Sequence, residues 1–384
     1  MNNDDEKIER SWLLQFSLQV WPELESYVDR IIVYYVGPAS TYWPAFDSSP
    51  EHMSDQVFID SVNKQADEGK DILLLCNISE GMRVPIFDKV HRSLPKLKIS
   101  HSRIYMTTAA LDGIELYEEY CQTQGWNERV NILPANSFLK VSRELSCINP
   151  SEYTPRIRDK NFLCFNRVER KHRIILVAKL LLEDLLKNSF YSFYSNNFDN
   201  NWLIRIDDIP VQYRAILEKN ADLFPMHLTG NQHTRNNPVD LVEEDRILYE
   251  ESYYSVITET IFYKEAERIA AGCISSIFFT EKTYKPIAMK HPFILVSMPN
   301  SLKWLKSMGF KTFHPFINES YDDEHDDDLR LQMIVDEIKR LDSFTDQEWM
   351  QWQIGIKDIV EHNFKVYNSI TISSLGQPIL NLPQ

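Results

Sequence analysis

The sequence predicts an α/β protein with two successive halves, each built around a mainly parallel sheet. Its 384 residues are too many for one ordinary core. They fit two domains of roughly 150–200 residues each. Short runs rich in β-branched and aromatic residues alternate with stretches of helical length, which is typical of βαβ units. A polar, proline-containing passage at 142–160 separates two such series. We therefore expect two α/β domains with a cleft between them.

The first series contains four apolar runs that predict strands and one stretch that predicts a helix. The helix is GIELYEEYCQTQG (113–125), which ends at Gly125. We assign residues 1–150 to this first domain. The predicted strands are RIIVYYVG (30–37), DILLLCNISEG (71–81), SRIYMTTAA (102–110) and RVNILPANSF (129–138).

The second series is assigned to a domain at 151–345, and residues 346–384 to a closing helix and tail that pack back across the domains. Residues 190–250 show the least regular pattern. The predicted strands are NFLCFN (161–166), YYSVITET (253–260), SIFFTEK (276–282, a strand into a turn) and HPFILVS (291–297). The predicted helices lie at 170–188, at 264–272, from TYKPIAMK onward, at 300–310 with an Asn-Ser start, and at 345–367.

Composition narrows the class of protein. The formal net charge is −15, whereas a free-standing nucleic-acid binder is usually basic. A local basic run at 89–103 is expected to be a solvated surface, although it could contribute to a positive groove. The 5 cysteines form no CxxC pair, and the N-terminus MNNDDEKIER is the opposite of a signal peptide. With no apolar run long enough to cross a bilayer, we expect a cytoplasmic protein without a membrane span.

Arginines gather where the first strand of the second half ends and a helix begins. The stretch FNRVERKHR (165–173) places Arg170 and Arg173 at that helix start. Cations there oppose the helix dipole and gain nothing from burial unless an anion meets them. Together with the free amides of the first turn they suit a diphosphate. The alternative is a solvated basic helix start.

Charged residues also follow two later apolar runs. Glu259 ends one of them, where it can hold a ribose hydroxyl, orient a cation or lie exposed at the strand end. Glu281 and Lys282 follow FFT, where Glu281 can accept from both hydroxyls of a ribose and Lys282 can pair with a phosphate oxygen. Ligands bind at such strand ends in open α/β sheets. The alternative for the last two is a simple surface ion pair.

These pieces resemble a known family. Asn166-Arg170-Arg173, a strand followed by Glu259, and Thr280-Glu281-Lys282 resemble the C-terminal half of α-1,3-fucosyltransferases. Those enzymes have the GT-B fold, in which two Rossmann-like domains face each other across a cleft, and they bind a nucleotide sugar there. The resemblance implies that Arg170 and Lys282 contact the diphosphate and Glu281 the ribose. Arg173 and Glu259 match without an assigned role.

The amino-acid sequence of the second half is also similar to glycosyltransferases of tailed phages and giant viruses. That resemblance implies that the protein is located in the cytoplasm of the host. After TEK the chain departs from the fucosyltransferases, because TYKPIAMKHP stands where they have an apolar, alanine-rich helix. The expected co-substrate is therefore a nucleotide sugar, UDP- or GDP-linked, with the sugar left open. We predict no tightly bound cofactor and no metal: Asp326-x-Asp328 fits a metal motif, but it lies in an acidic run that reads as a solvated loop.

The function expected from the sequence is transfer of a sugar from a nucleotide-sugar donor to a hydroxyl acceptor. If the reaction inverts, a first-domain carboxylate or histidine must take the acceptor proton. The sequence offers Glu80, His101 and Asp112, which are expected on loops after first-domain strands, without choosing among them. The acceptor placed first is a hydroxymethylated base in phage DNA, and a glycan is the alternative. A non-catalytic nucleotide-sugar-binding protein and a sugar-nucleotide epimerase remain as alternatives.

Overall fold

The structure is a computed structural model, and it describes the larger part of the chain. Three sequence features lie outside the described residues: Glu80, the predicted helix at 264–272, and residues 143–148 of the predicted linker at 142–160. The described residues are 17–36, 53–77, 82–135, 138–139, 142, 149–166, 169–193, 209–224, 226, 228, 243–263 and 273–371.

The chain divides into two compact units. The first comprises Met1–Phe138, Glu265–Phe278 and Ile370–Gln384, and the second Leu139–Lys264 and Phe279–Ser369. The domain ranges expected from the sequence remain predictions.

Ten strands are formed by the described residues. They are β1 (Ile31–Val36), β2 (Ile72–Asn77), β3 (Met82–Arg83), β4 (Ile104–Thr108), β5 (Asn131–Pro134), β6 (Lys160–Asn166), β7 (Ser189–Phe193), β8 (Ser252–Thr258), β9 (Cys273–Ile274) and β10 (Phe293–Val296).

Ten α-helices lie within the same ranges. They are α1 (Asp55–Asp67), α2 (Val84–Ser93), α3 (Gly113–Gln124), α4 (Lys171–Leu182), α5 (Val211–Lys219), α6 (Glu243–Glu250), α7 (Glu281–Ala288), α8 (Ser301–Ser307), α9 (Asp327–Asp342) and α10 (Asp346–Ser369). None of these is long and apolar enough to span a membrane.

The first unit contains a parallel sheet in the order β1-β2-β4-β5. Alternate strand residues face opposite sides, as the period of a strand requires. Leu73 and Leu75 of β2 pack with α1, α2 and α3 in one apolar cluster. Leu74 and Cys76 pack on the other side with Trp21 and Leu24, at the start of the first unit. Both faces of the sheet are therefore covered, as expected for parallel strands.

The second unit contains a parallel sheet in the order β10-β8-β6-β7. β6 and β8 are the two central strands and lie next to each other. After β6 the chain continues to β7 at one edge of the sheet, and after β8 it continues to β10 at the other edge. The buried helix α4 connects β6 to β7. From α10, Trp349 stacks on Tyr253 of β8 with ring centroids 3.9 Å apart. The predicted α/β class with two parallel sheets is confirmed.

The predicted strand at 276–282 is wrong. Residues 275–280 are buried but carry no strand ladder, and only Cys273–Ile274 pairs, antiparallel to β3. Side chains replace the ladder: the Ile277 amide donates to Asp112 Oδ1 at 2.9 Å, and the Thr280 amide to Glu259 Oε1 at 3.0 Å. A buried amide needs a partner, and a carboxylate supplies it as well as a neighbouring strand does.

Two aspartates of the acidic run before α9 cap the N-termini of helices. Asp326 caps α9 by accepting from the Leu329 amide at 2.8 Å. Both carboxylate oxygens of Asp322 accept from the Leu302 amide at 3.0 Å and so cap α8. Asn300, expected to cap α8, instead has φ 64 and makes no side-chain cap. Within the described residues, no group of three or more histidines, cysteines or carboxylates is arranged to hold a metal ion.

Candidate functional site

The central pair of the second sheet forms a topological switch point. Connections from β6 and β8 run in opposite directions across the sheet. In open α/β sheets, ligands usually bind at the carboxyl ends of the strands at such a point. Asn166 ends β6 and Thr258 ends β8, and the Thr258 hydroxyl donates to Asn166 Oδ1 at 2.6 Å. Asn166 Nδ2 also donates to the Tyr191 hydroxyl at 3.1 Å. The two strand ends are therefore braced by buried polar contacts.

The start of α4 lies against the end of β8. Arg170 is the N-cap residue, with an extended backbone and no side-chain cap bond. Arg173 is buried, and its Nη2 donates to the carbonyl of Thr258 at 2.9 Å and to that of Glu259 at 3.3 Å. These contacts make Arg173 a positioning residue, because its donors hold the backbone that follows β8.

The pKa of His172 is affected by the positive charges around this site. It is fully buried, and its Nε2 lies 3.0 Å from the Glu259 carbonyl oxygen. Burial first, and then the positive charges of Arg173, Arg170 and Lys282, hold the pKa of His172 well below its ordinary value. All three predicted cations therefore act on one imidazole, which stays neutral. The sequence-predicted cations are brought together at the switch point.

The carboxylate of Glu259 is buried and bonded to neighbouring side chains. Its side chain is 1% exposed, so an exposed strand-end position is excluded. The carboxylate accepts from the Thr280 amide at 3.0 Å, from the Thr280 hydroxyl at 2.8 Å and from the Thr283 hydroxyl at 2.6 Å. It also lies 3.6 Å from Lys282 Nζ. Of the roles left open by the sequence, the geometry favours orienting a cation.

The first turn of α7 presents Glu281 and Lys282. Thr280 caps the helix, accepting from the Lys282 amide at 3.3 Å and from Lys282 Nζ at 2.6 Å. Lys282 remains 25% exposed and lies 3.7 Å from Glu281, which is 16% exposed. Burial raises the pKa of Glu281, but Lys282 and Lys285 outweigh it, and the pKa lies below its ordinary value. Glu281 is therefore ionised at neutral pH.

Asp112 is the first-unit candidate with a perturbed acidity. It follows β4 at the carboxyl edge of the first sheet, where its Oδ1 accepts from the Ile277 amide. Burial, helped by the charge of Glu115, raises the pKa of Asp112 to about 7, against two backbone hydrogen bonds that lower it. A carboxyl group with such a pKa suits proton transfer near neutrality.

The predicted position of His101 is wrong. It was expected on a loop after a strand, but it lies in a short 3-10 helix that precedes β4, at the amino edge of the first sheet. In parallel sheets the crevice for ligands lies at the carboxyl edge. His101 is therefore excluded as a residue of that edge.

Thr283 and His172 received no role from sequence reasoning, and Thr280 entered it only as part of the Thr280-Glu281-Lys282 motif. The spacing of Thr280 and Thr283 is a usable signal, since residues three apart share one face of a helix start. Their common partner Glu259 lies 21 and 24 residues earlier in the chain. That partner could not be read from local spacing.

Comparisons with known proteins show a weak likeness to a solved structure. No protein-family model matches the chain, and no curated protein sequence matches it. Among solved structures, the chain is similar to a UDP-forming alpha, alpha-trehalose-phosphate synthase from Burkholderia xenovorans. The identity is 10% and the TM-score 0.38, over 88% of this chain and 71% of that chain. A likeness at this level assigns no substrate and no residue role.

Proposed function

We propose that this chain is a glycosyltransferase of the GT-B type that holds a nucleotide-sugar donor at the carboxyl edge of its second sheet. The observation that carries the proposal is that Arg173 and Lys282 meet at Glu259, beside the helix start where Arg170 is the N-cap residue. Arg173 donates to the Glu259 carbonyl, and Lys282 Nζ lies 3.6 Å from the Glu259 carboxylate. Three cations around one neutral imidazole form a region suited to a dianionic leaving group. The resemblance of the same residues to fucosyltransferase motifs supports the assignment.

Each residue has a role in the proposed reaction. The acceptor oxygen bonds to the anomeric carbon while the bond from that carbon to the diphosphate oxygen breaks, leaving negative charge on the diphosphate. Arg170 and Lys282 stabilise that charge, and Glu281 accepts hydrogen bonds from the ribose hydroxyls. Arg173 and Glu259 position this machinery, because Arg173 Nη2 and both carboxylate oxygens of Glu259 are already bonded to the protein.

Asp112 is our candidate for the general base that takes the acceptor proton in an inverting reaction. Its pKa of about 7 keeps a substantial ionised fraction at neutral pH while leaving the group basic enough to accept a proton. It is favoured over His101, which lies at the other edge of the sheet.

A glycan hydroxyl is favoured over a DNA base as the acceptor. The basic run at 89–103 is largely neutralised inside the first unit. Arg92 pairs with Asp55 at 2.9 Å and Lys98 with Asp67 at 2.5 Å, while Arg103 pairs with Asp71. Phosphate binding needs cations that release counterions, and these are already paired. Transfer to a hydroxymethylated base in DNA remains the second acceptor to test.

The experiment is a thermal-shift panel of UDP-, GDP- and CMP-sugars on the full chain, followed by transfer assays. Acceptors are oligosaccharides and DNA containing 5-hydroxymethylcytosine. We expect one sugar nucleotide to stabilise the protein and its sugar to move to an oligosaccharide. Donor binding without transfer to any acceptor would favour a non-catalytic binding protein. Turnover of the donor without an acceptor would favour an epimerase.

A further inference from the structure

The chain that follows β8 forms a buried loop at the carboxyl edge of the second sheet. This β8 loop comprises residues 259–263, each of which is at most 8% exposed. Glu259 is its first residue, and the hydroxyl of Thr260 lies 3.4 Å from Lys282 Nζ. Residues 260–263 belong to no strand or helix. Contacts from other elements must therefore determine the shape of the β8 loop, because no strand ladder fixes its backbone.

The start of α4 contacts the β8 loop with two consecutive side chains. His172 Nε2 lies 3.0 Å from the Glu259 carbonyl oxygen, and the His172 ring stacks on Phe262 with centroids 5.4 Å apart. Arg173 donates to the same carbonyl at 3.3 Å. Because Nε2 faces an acceptor, it carries the proton of the neutral imidazole, and Nδ1 is unprotonated. The tautomer of His172 therefore depends on where the β8 loop holds the Glu259 carbonyl.

Arg330 of α9 contacts the same loop from another helix. Its side chain is 1% exposed, its Nη2 donates to the Phe262 carbonyl at 2.6 Å, and its guanidinium carbon lies 4.2 Å from the centroid of the Phe262 ring. Two further contacts bind the guanidinium near the start of its own helix. Nη2 donates to Asp327 Oδ1 at 2.6 Å, and Nη1 donates to the Glu324 carbonyl at 3.1 Å. One buried side chain therefore joins the β8 loop to the N-terminal end of α9.

Burial of this guanidinium is a poor source of stability. Taking a charge out of water is costly, and apolar side chains of similar volume are often no less stable than a buried ion pair. Arg330 Nε also makes no hydrogen bond within the described part of the chain. A methionine would fill much of the same space without these costs. What it could not replace is the donation to the Phe262 carbonyl, which fixes the backbone of the β8 loop.

We propose that Arg330 is a positioning residue of the donor site. It acts through the β8 loop: by holding the Phe262 backbone it fixes the position of Glu259 at the other end of the loop. The Glu259 carboxylate in turn orients Lys282 toward the diphosphate. This inference rests on the proposed function, because it assigns Arg330 to the same site. The contact of Arg330 with the loop can be measured without any ligand.

The test variant is Arg330→Met, which removes the donors and keeps an unbranched side chain. The matched control is Arg158→Met, because Arg158 also donates to main-chain carbonyls, those of Tyr249 and Glu250, but at the amino edge of the same sheet. Proton–nitrogen correlation spectra of the imidazole rings give the tautomer of His172, whose signal is assigned by its loss in His172→Gln. Calorimetry measures the binding of UDP and GDP to each folded variant.

We expect the wild type and Arg158→Met to show one tautomer of His172, with the proton on Nε2, and Arg330→Met to show a mixture of both. The nucleotide that binds the wild type should bind Arg158→Met equally and Arg330→Met roughly tenfold more weakly. Arg330→Lys should recover part of this binding, since one ammonium can still donate to the Phe262 carbonyl but cannot reproduce the planar fork. Such recovery distinguishes positioning from the filling of space.

An unchanged His172 tautomer in Arg330→Met, or nucleotide binding as tight as in the wild type, would overturn the proposal. If Arg330→Met does not fold, Arg330→Lys decides by the same two measurements, and wild-type values for both would overturn it. Failure of the wild type to bind either nucleotide would contradict the proposed function instead. The tautomer of His172 alone would then decide whether Arg330 fixes the β8 loop.

Discussion

The carboxylate of Glu259 lies 3.6 Å from the ammonium nitrogen of Lys282, and the two side chains differ sharply in exposure, at 1% and 25%. The carboxylate is closed in by Thr280 and Thr283, whereas the ammonium reaches the surface of the second unit. A buried carboxylate thus fixes a cation that is still accessible to a ligand. Pre-positioned charge of this kind is what a developing anion requires.

Replacing Glu259 with Gln should destabilise the protein. The carboxylate accepts only, and three donors from Thr280 and Thr283 point at it, so the amide group of Gln must face at least one of them. We expect a loss of about 2–4 kcal/mol in the free energy of unfolding, measured by urea denaturation. Weaker donor binding should accompany it. A variant as stable as the wild type would mean that Glu259 is solvated.

Asp112→Asn should separate stability from activity. The raised pKa of Asp112 means that the folded state holds its proton between about pH 4 and pH 7 while the unfolded state has released it. Stability therefore falls as pH rises through this window, and the loss is complete above pH 7. Asn removes that loss and keeps an oxygen for the Ile277 amide. We expect a gain on the order of 1–3 kcal/mol at pH 8 and none near pH 3.5.

The same variant should slow sugar transfer by roughly 10²- to 10⁴-fold, as for loss of a general base. Wild-type activity should rise with pH through about 7. Glu115→Gln is the control, since removing this neighbouring charge lowers the pKa of Asp112 and should move the profile to lower pH without abolishing activity. A pH–rate profile that Asp112→Asn leaves intact would eliminate Asp112 as the base.

Gly355→Ala should destabilise α10 although alanine favours helices. A Cβ at this position would overlap the ring of Phe316. The helix gain of about 1 kcal/mol is smaller than an overpacking cost of about 1–3 kcal/mol. Calorimetry should give a lower melting temperature for Gly355→Ala than for the wild type. In a protein that already carries Phe316→Ala, adding Gly355→Ala should lower the melting temperature by less. A higher melting temperature for the single variant would contradict this packing.

The strands were largely predictable because apolar, β-rich runs followed by turn residues are local signals. The run at 276–280 misled for the same reason: it is apolar and extended, but Asp112 and Glu259 take the place of neighbouring strands. Helices α1, α5, α6 and α9 and strands β3, β7 and β9 were missed. In α9 the acidic run hid a helix start, because its Asp326 cap reads as part of a charged loop.

At the site, the cationic residues were predictable from the sequence, but the contacts that hold them in place were not. Arg170, Arg173 and Lys282 stand out because charge follows apolar strands. That Arg173 and His172 both contact the Glu259 carbonyl depends on how α4 packs against β8, which no local pattern contains. For the same reason the sequence could not separate the positioning residues from those that face a ligand.

The most direct measurement is calorimetric binding of UDP and GDP to the wild type, to Lys282→Ala and to Lys339→Ala. Lys339 is the matched control, a 59% exposed lysine of the second unit paired with Glu183. We predict that one nucleoside diphosphate binds the wild type and Lys339→Ala equally and Lys282→Ala at least tenfold more weakly. Equal binding to all three proteins, or no binding of either nucleotide to the wild type, would contradict the assignment of the switch point as a diphosphate site.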